Sequence, residues 1–166
     1  MERWSIQVDK QDFRFSAAHF LIFPDGSAER LHGHNYRVAV EVEAGLDEHG
    51  LVIDFQRIKP LVRALIAELD ELLLLPGEHH ELRVEPLTDE AAVEVRYRER
   101  RYVVPAAEVR VLPICNSSTE NLATFLGRQL LGRVESEFPG VDVDMLWLSV
   151  EETPGQRGVY RYSSTD

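Results

Sequence analysis

Leu31-His32-Gly33-His34-Asn35-Tyr36-Arg37-Val38-Ala39-Val40-Glu41-Val42-Glu43-Ala44 is the stretch that decides the fold. From Tyr36 to Ala44 the residues alternate. Val38, Val40 and Val42 share one face and Arg37, Glu41 and Glu43 are among the rest, which is the period-2 mark of a half-buried strand. Carried back through His32 and His34, that alternation sends both imidazoles to one face, where they can reach a single ion. A third histidine, His19, ends the earlier stretch Phe15-Ser16-Ala17-Ala18-His19. Three neutral imidazoles at ~2.0–2.1 Å would leave one tetrahedral position open, the arrangement of catalytic rather than structural zinc. A His-x-His pair alone also arises by chance on strand faces. Gly33, which lets the backbone approach closely, and the polar loop with Asp25 and Gly26 favour the metal reading. No Cys-x-x-Cys is present, which argues against a structural thiolate site.

Working outward, Trp4 to Phe15 reads as a strand, followed by a loop from Phe20 to Leu31 with Pro24, Asp25 and Gly26 as turn chemistry. Asp54 has the character of a helix N-cap, and Leu61 to Leu74 has helical apolar spacing. Pro60 either marks a late helix start or bends the first turns. Ser117-Ser118-Thr119-Glu120 has capping-box spacing, and Leu122, Phe125, Leu126, Leu130 and Val134 follow at helical intervals until Phe138-Pro139-Gly140. Val141 to Glu151 then reads as a strand and Gly158 to Tyr162 as a short extension. Between the helices, Val93 to Arg98 and Tyr102 to Val104 suggest a hairpin turning near Glu99 to Arg101, and Val109 to Leu112 one more strand. Strands are not joined by regular crossover helices. The expectation is an α+β fold with a mainly antiparallel sheet.

The chain has 166 residues, 44% hydrophobic and 28% charged. That suits one domain, residues 1–166, able to bury a core without staples. The formal charge of −11 lacks the basic footprint of a nucleic-acid reader. The single cysteine, Cys115, allows no intrachain disulfide and reads as a buried apolar residue. The first residues carry no signal-peptide core and no apolar run is long enough for a bilayer, so a cytoplasmic location without a membrane partner is expected.

The pieces Phe15-Ser16-Ala17-Ala18-His19, Leu31-His32-Gly33-His34-Asn35-Tyr36, Val52-Ile53-Asp54-Phe55, Leu69-Asp70, Ser118-Thr119-Glu120-Asn121-Leu122-Ala123 and Val150-Glu151-Glu152-Thr153 occur together and in order. In these the chain resembles the 6-pyruvoyl-tetrahydropterin synthase and 6-carboxy-tetrahydropterin synthase superfamily. The resemblance implies a tunnelling fold (T-fold), an antiparallel sheet with two helices on one face, assembled as a homohexamer from two trimers. It implies His19, His32 and His34 as zinc ligands and Glu152 as the pterin anchor. A carboxylate suits that anchor because its two oxygens can accept from a ring N–H and an exocyclic amino group. Glu151 and Glu152 face opposite ways on a strand, so only one can enter the pocket. Ser118 and Thr119 would lie near the ring, a role compatible with helix capping.

The chain also departs from the pattern. The synthases place a cysteine four residues before the first histidine of His-Gly-His; here that residue is Ala28. They pair an aspartate with a following histidine after the first helix; here Asp70 is followed by Glu71. Glu29, three residues before His32, resembles the loop glutamate of the type III members, which cleave the side chain of 7,8-dihydroneopterin to give 6-hydroxymethyl-7,8-dihydropterin. The expectations are therefore a zinc-dependent pterin lyase with Glu29 as base and Asp70 and Glu71 as a second acid–base pair. The alternatives are 6-carboxy- or 6-pyruvoyl-tetrahydropterin synthase chemistry on the triphosphate, or a non-catalytic zinc- and pterin-binding paralogue. An insertion at about 75–113 holds Arg96, Arg98, Arg100 and Arg101. It is either a solvated β-hairpin or a lid or clamp for phosphate, to which Arg is suited.

Overall fold

The computed structural model describes residues 2–88 and 91–165. The elements run β1 (Trp4–Val8), β2 (Arg14–His19), β3 (His32–Ala44), α1 (Phe55–Ala67), β4 (Leu72–Pro76), β5 (Arg83–Pro86), β6 (Ala92–Tyr97), β7 (Arg100–Pro105), a 3₁₀ turn (Ala106–Glu108), β8 (Val109–Leu112), α2 (Thr119–Glu137), β9 (Val143–Thr153) and β10 (Gln156–Ser163). The central strand is β3, whose alternation buries Tyr36, Val38, Val40, Val42 and Ala44. Along one edge it pairs antiparallel first with β2, His19 opposite His32, and then with β1, Val8 opposite Val40. Its other edge pairs with β9, which pairs with β10.

Two expectations need correction. The stretch Trp4 to Phe15 is two strands, because the polar run Asp9 to Asp12 breaks the alternation; Phe13 N–H donates to the Lys10 carbonyl at 3.1 Å and the Phe13 ring tucks into the core. The first helix begins at Phe55, where the Asp54 carboxylate accepts from Gln56 N–H at 2.7 Å. It ends at Ala67, so Leu72 to Leu74 are not helical. Pro60 lies on its exposed face, where the Gln56 carbonyl that loses its partner meets solvent. The leucines instead form β4, parallel to β2 on one side and to β8 on the other. The sheet is thus mixed: antiparallel through β1, β2, β3, β9 and β10, parallel where β4 and β8 join.

The leucine run has a physical reason. Leu74 packs into the main core, while Leu73 and Leu75 pack into a second one. A strand buried on both faces reads as a continuous apolar run, which periodicity alone does not separate from a buried helix. In the main core, Ile58, Val62, Leu65 and Ile66 of α1 and Leu122, Leu126, Leu130 and Val134 of α2 cover one face of the sheet. The second core joins Phe20, Ile22, Leu73, Leu75, Leu82, Val95 and Tyr97, beneath a separate antiparallel sheet β5-β6-β7. The expected hairpin is present as β6 and β7, with the turn at Arg98–Glu99, and β5 extends it to three strands.

Candidate metal centre

Register alone brings the three histidines together. His19, the last residue of β2, pairs with His32, the first of β3, and His34 follows two residues on along the same face. One ring nitrogen from each lies within 4.8 Å of the others. The ring centroids are 4.8 Å (His19–His32), 5.2 Å (His19–His34) and 4.8 Å (His32–His34) apart.

The tautomers follow from hydrogen bonding. His19 Nδ1 lies 2.9 Å from the Ser117 carbonyl and His32 Nδ1 2.7 Å from the Arg30 carbonyl. A carbonyl only accepts, so each Nδ1 carries a proton, which in the neutral tautomer leaves Nε2 to present the lone pair. Among the described residues, buried His19 Nε2 has no hydrogen-bond partner. Glu152 Oε1 stands 3.2 Å from it and 3.4 Å from His34 Nε2. The first contact joins two lone-pair bearers, so it is not an ion pair. Burial also holds the His19 imidazole below the usual histidine pKa, hence neutral. Neutral rings oriented by main-chain carbonyls, with one lone pair otherwise orphaned, are the donor set and outer support of a metal site. Nitrogens sharing one zinc stand at most about 4.2 Å apart, given bonds of ~2.0–2.1 Å. A spread within 4.8 Å closes by small ring rotations of the more accessible His32 and His34.

Around this cluster stand groups that sequence reading missed. Tyr36 continues the face of His32 and His34, stacks on Phe15 at 4.8 Å, and directs its hydroxyl to Glu152 Oε1 at 3.5 Å. Burial raises the Tyr36 pKa, so the phenol stays a neutral donor. Its place two residues after His34 was the available signal. Ser117 is not the cap that the capping-box spacing suggests. Instead Ser118 caps α2, accepting from Asn121 N–H at 3.4 Å, while buried Ser117 donates its hydroxyl to the Phe20 carbonyl at 2.8 Å. That bond fixes the carbonyl that orients His19.

The expected site residues divide into three groups. Glu29 reaches the cluster: its Oε2 lies 3.8 Å from His32 Nε2 and accepts from Leu21 N–H at 3.2 Å. Glu152, Ser118 and Thr119 share a cavity of about 440 Å³ with Leu21, Glu120 and Arg157. Glu151 turns away and binds Arg157 at 3.1 Å. Asp70 and Glu71 do not join the histidines as a pair. Asp70 Oδ1 accepts from Ser16 N–H at 2.7 Å. Glu71, at φ 58°, turns the chain from α1 into β4 and lines a separate cavity of about 460 Å³ with Ser16, Leu31, His34, Asn35 and Glu108.

Cys115 is exposed, with Sγ 3.6 Å from Asn121 Oδ1, contrary to the buried reading. The arginines of the insertion are occupied. Arg96 and Arg101 pair with Glu94, Arg98 with Glu81, and Arg100 donates to the Ala28 and Glu29 carbonyls. A clamp waiting for phosphate would hold them free, so this geometry does not support one.

A curled mixed sheet backed by two helices, with three imidazoles gathered at the end of its central strands, defines a T-fold protein. The chain belongs to the 6-pyruvoyl tetrahydropterin synthase family, whose model matches residues 7–163. It is 31% identical over 151 residues to a Methanocaldococcus jannaschii protein provisionally named 6-carboxy-5,6,7,8-tetrahydropterin synthase, covering 89% of each chain. Among solved structures it is similar to a variant of Plasmodium vivax 6-pyruvoyltetrahydropterin synthase in which a catalytic glutamate is replaced by alanine. That match has a TM-score of 0.90 at 27% identity and covers 98% of this chain and 99% of the other. The Plasmodium falciparum 6-pyruvoyl tetrahydropterin synthase matches with a TM-score of 0.89 at 28% identity, covering 97% and 98%. No helix among the described residues is long and apolar enough to cross a membrane.

Proposed function

We propose that the protein is a metal-dependent pterin lyase that cleaves the side chain of 7,8-dihydroneopterin, or its phosphate, to give 6-hydroxymethyl-7,8-dihydropterin. The observation that carries this reading is Glu29, 3.8 Å from His32 and facing the histidine cluster, while the lone cysteine is exposed and bonded to α2. The Plasmodium vivax relative, with its catalytic glutamate, supports a glutamate in this role.

His19, His32 and His34 would hold the metal, most simply zinc, although imidazole also suits iron, copper and nickel. Bound there, the ion would supply Lewis acidity to the side-chain hydroxyl oxygens. Glu152 would accept from the pterin ring, with Ser118 and Thr119 across the same cavity. Glu29 would take the proton of the second side-chain hydroxyl. The bond between the first and second side-chain carbons breaks, its electron pair passing into the conjugated ring. The second carbon leaves as the carbonyl of a two-carbon aldehyde, and the first carbon takes a proton to become the hydroxymethyl group. Glu71, which lines a cavity shared with His34, would return that proton.

The names of the curated relatives favour a second reading, 6-carboxy-tetrahydropterin synthase chemistry on the triphosphate. The hexamer implied by the family is supported by the edges of β8 and β10, which pair with no further strand among the described residues and where Val111 and Val159 are exposed. The deciding experiment incubates zinc-loaded protein with 7,8-dihydroneopterin and, separately, its triphosphate, and identifies products by mass spectrometry. Release of 6-hydroxymethyl-7,8-dihydropterin is expected. A 6-carboxy or 6-pyruvoyl product would move the assignment to a synthase, and no product from either would point to a binding protein.

A further inference from the structure

The insertion reaches the site by way of the loop that carries Glu29. That loop, Phe20 to Leu31, is a small hairpin of its own: Ile22 and Ala28 form a bridge, Phe23 N–H donates to the Ser27 carbonyl at 2.8 Å, and Glu29 N–H donates to the Leu21 carbonyl at 3.0 Å. It does not pack on the main core. Phe20 and Ile22 are buried against Val95 and Tyr97 of β6, with Ala28 beside them. The end of β6, the turn and the start of β7 then aim three contacts at it. Tyr97 donates its hydroxyl to the Gly26 carbonyl at 2.8 Å. Arg98, at φ 50° and tied to Glu81 at 2.9 Å, lies over Gly26, where a Cβ would collide with the guanidinium. Arg100 spreads its two terminal nitrogens over two successive carbonyls, those of Ala28 and Glu29.

We propose that the three-stranded sheet β5-β6-β7 is a positioning element for Glu29, acting through the grip of Arg100 on the Ala28 and Glu29 carbonyls. This rests on Glu29 being the base. The guanidinium binds main-chain oxygens, not the carboxylate, so it fixes where Glu29 stands without pairing with its charge. The planar fork matters, because one ammonium group cannot hold two carbonyls in fixed relative orientation. Arg100 is therefore a positioning residue, distinct from the groups that meet substrate.

The test compares the zinc-loaded full chain with Arg100→Ala, Arg100→Lys and Tyr97→Phe. Tyr97→Phe keeps the buried ring and so keeps the fold. Misplacing a catalytic group by about 1 Å can cost ~10²-fold in rate. R100A should lower kcat by about 10- to 100-fold, leaving KM and zinc content near wild type. R100K should recover part of the loss, and Y97F should give a smaller decrease. Amide hydrogen exchange across residues 21–29 should quicken in R100A and, less, in Y97F. In a Glu29→Gln background, adding R100A should lower kcat no further. Unchanged exchange or unchanged kcat in R100A would overturn the proposal. So would an undiminished R100A effect in the Glu29→Gln background, which would put Arg100 on the substrate. A fully active Glu29→Gln enzyme would refute the assignment of the base, and the positioning role with it, whereas exchange would still report separately whether Arg100 holds the loop.

Discussion

Gly158→Ala should destabilise this protein, whereas the same change at Gly132 should stabilise it. Gly158, on β10, faces the first turn of α2, and a Cβ there would stand 2.6 Å from the Thr119 carbonyl oxygen, with other main-chain atoms of Thr119 and Glu120 as its nearest neighbours. Heavy atoms prefer about 3.5–4.0 Å, so strand and helix would have to part by about 1 Å. Neither yields easily: the strand is held in register with β9, Gly158 opposite Val150, and the turn is capped by Ser118. Overpacking of this kind costs ~1–3 kcal/mol. At about 2–4 °C per kcal/mol for a chain of this size, Tm should fall by roughly 2–12 °C. Gly132 lies exposed on α2, where a Cβ would meet nothing within 4 Å. There alanine should gain ~0.5–1 kcal/mol, or roughly 1–4 °C. Calorimetry of both variants is the assay. The displaced turn also carries Ser118 and Thr119 opposite Glu152, so G158A should weaken pterin binding in titration calorimetry. A G158A protein as stable as wild type, beside a stabilised G132A, would refute the reasoning.

Three further outcomes are expected. Glu29→Gln should lose about 10²–10⁴-fold in turnover, the usual contribution of a general base, while zinc content by atomic emission stays at the wild-type level. Cys115→Ser should leave turnover unchanged, since the thiol is exposed and bonded to Asn121; a large loss in the same assay would return the reaction to thiol chemistry. Zinc uptake should weaken on acidification below about pH 6.5, because protons compete for imidazole lone pairs. Burial depresses the His19 pKa, so the unfolded chain takes up its proton first as pH falls. The metal-free fold should therefore lose stability from about pH 6.5 down to the lower folded value, and a flat stability profile from pH 7 to 5 would contradict the buried neutral ring.

Much of the site was legible because it depends on strand alternation. His32, His34 and Tyr36 share a face by period alone, and the same rule allowed only one of Glu151 and Glu152 into the pocket, the family resemblance pointing to Glu152. The illegible parts depend on contacts distant in sequence. Nothing in the local pattern joins Ser117 to His19 or Arg100 to Glu29; the first link spans 98 residues of sequence and the second 71, and both arise from packing between distant elements. The helix reading of Leu72 to Leu74 failed because a strand apolar on both faces has no period to display. Cys115 looked buried by residue type, but it lies on the exposed approach to α2.

β2 and β4 form a wall between two hydrophobic cores, and successive residues of each strand face one and then the other. Ala17 and Leu74 face the larger core; Phe20, Leu73 and Leu75 face the smaller. The imidazoles are thereby anchored to one body and Glu29 to the other. Regions of a protein open with different free energies, and the body with fewer buried contacts opens first. Warming or mild denaturant should then produce a species that keeps its ion and has lost its base, a protein that still binds but no longer turns over, with two separate midpoints where a single-core enzyme would show one.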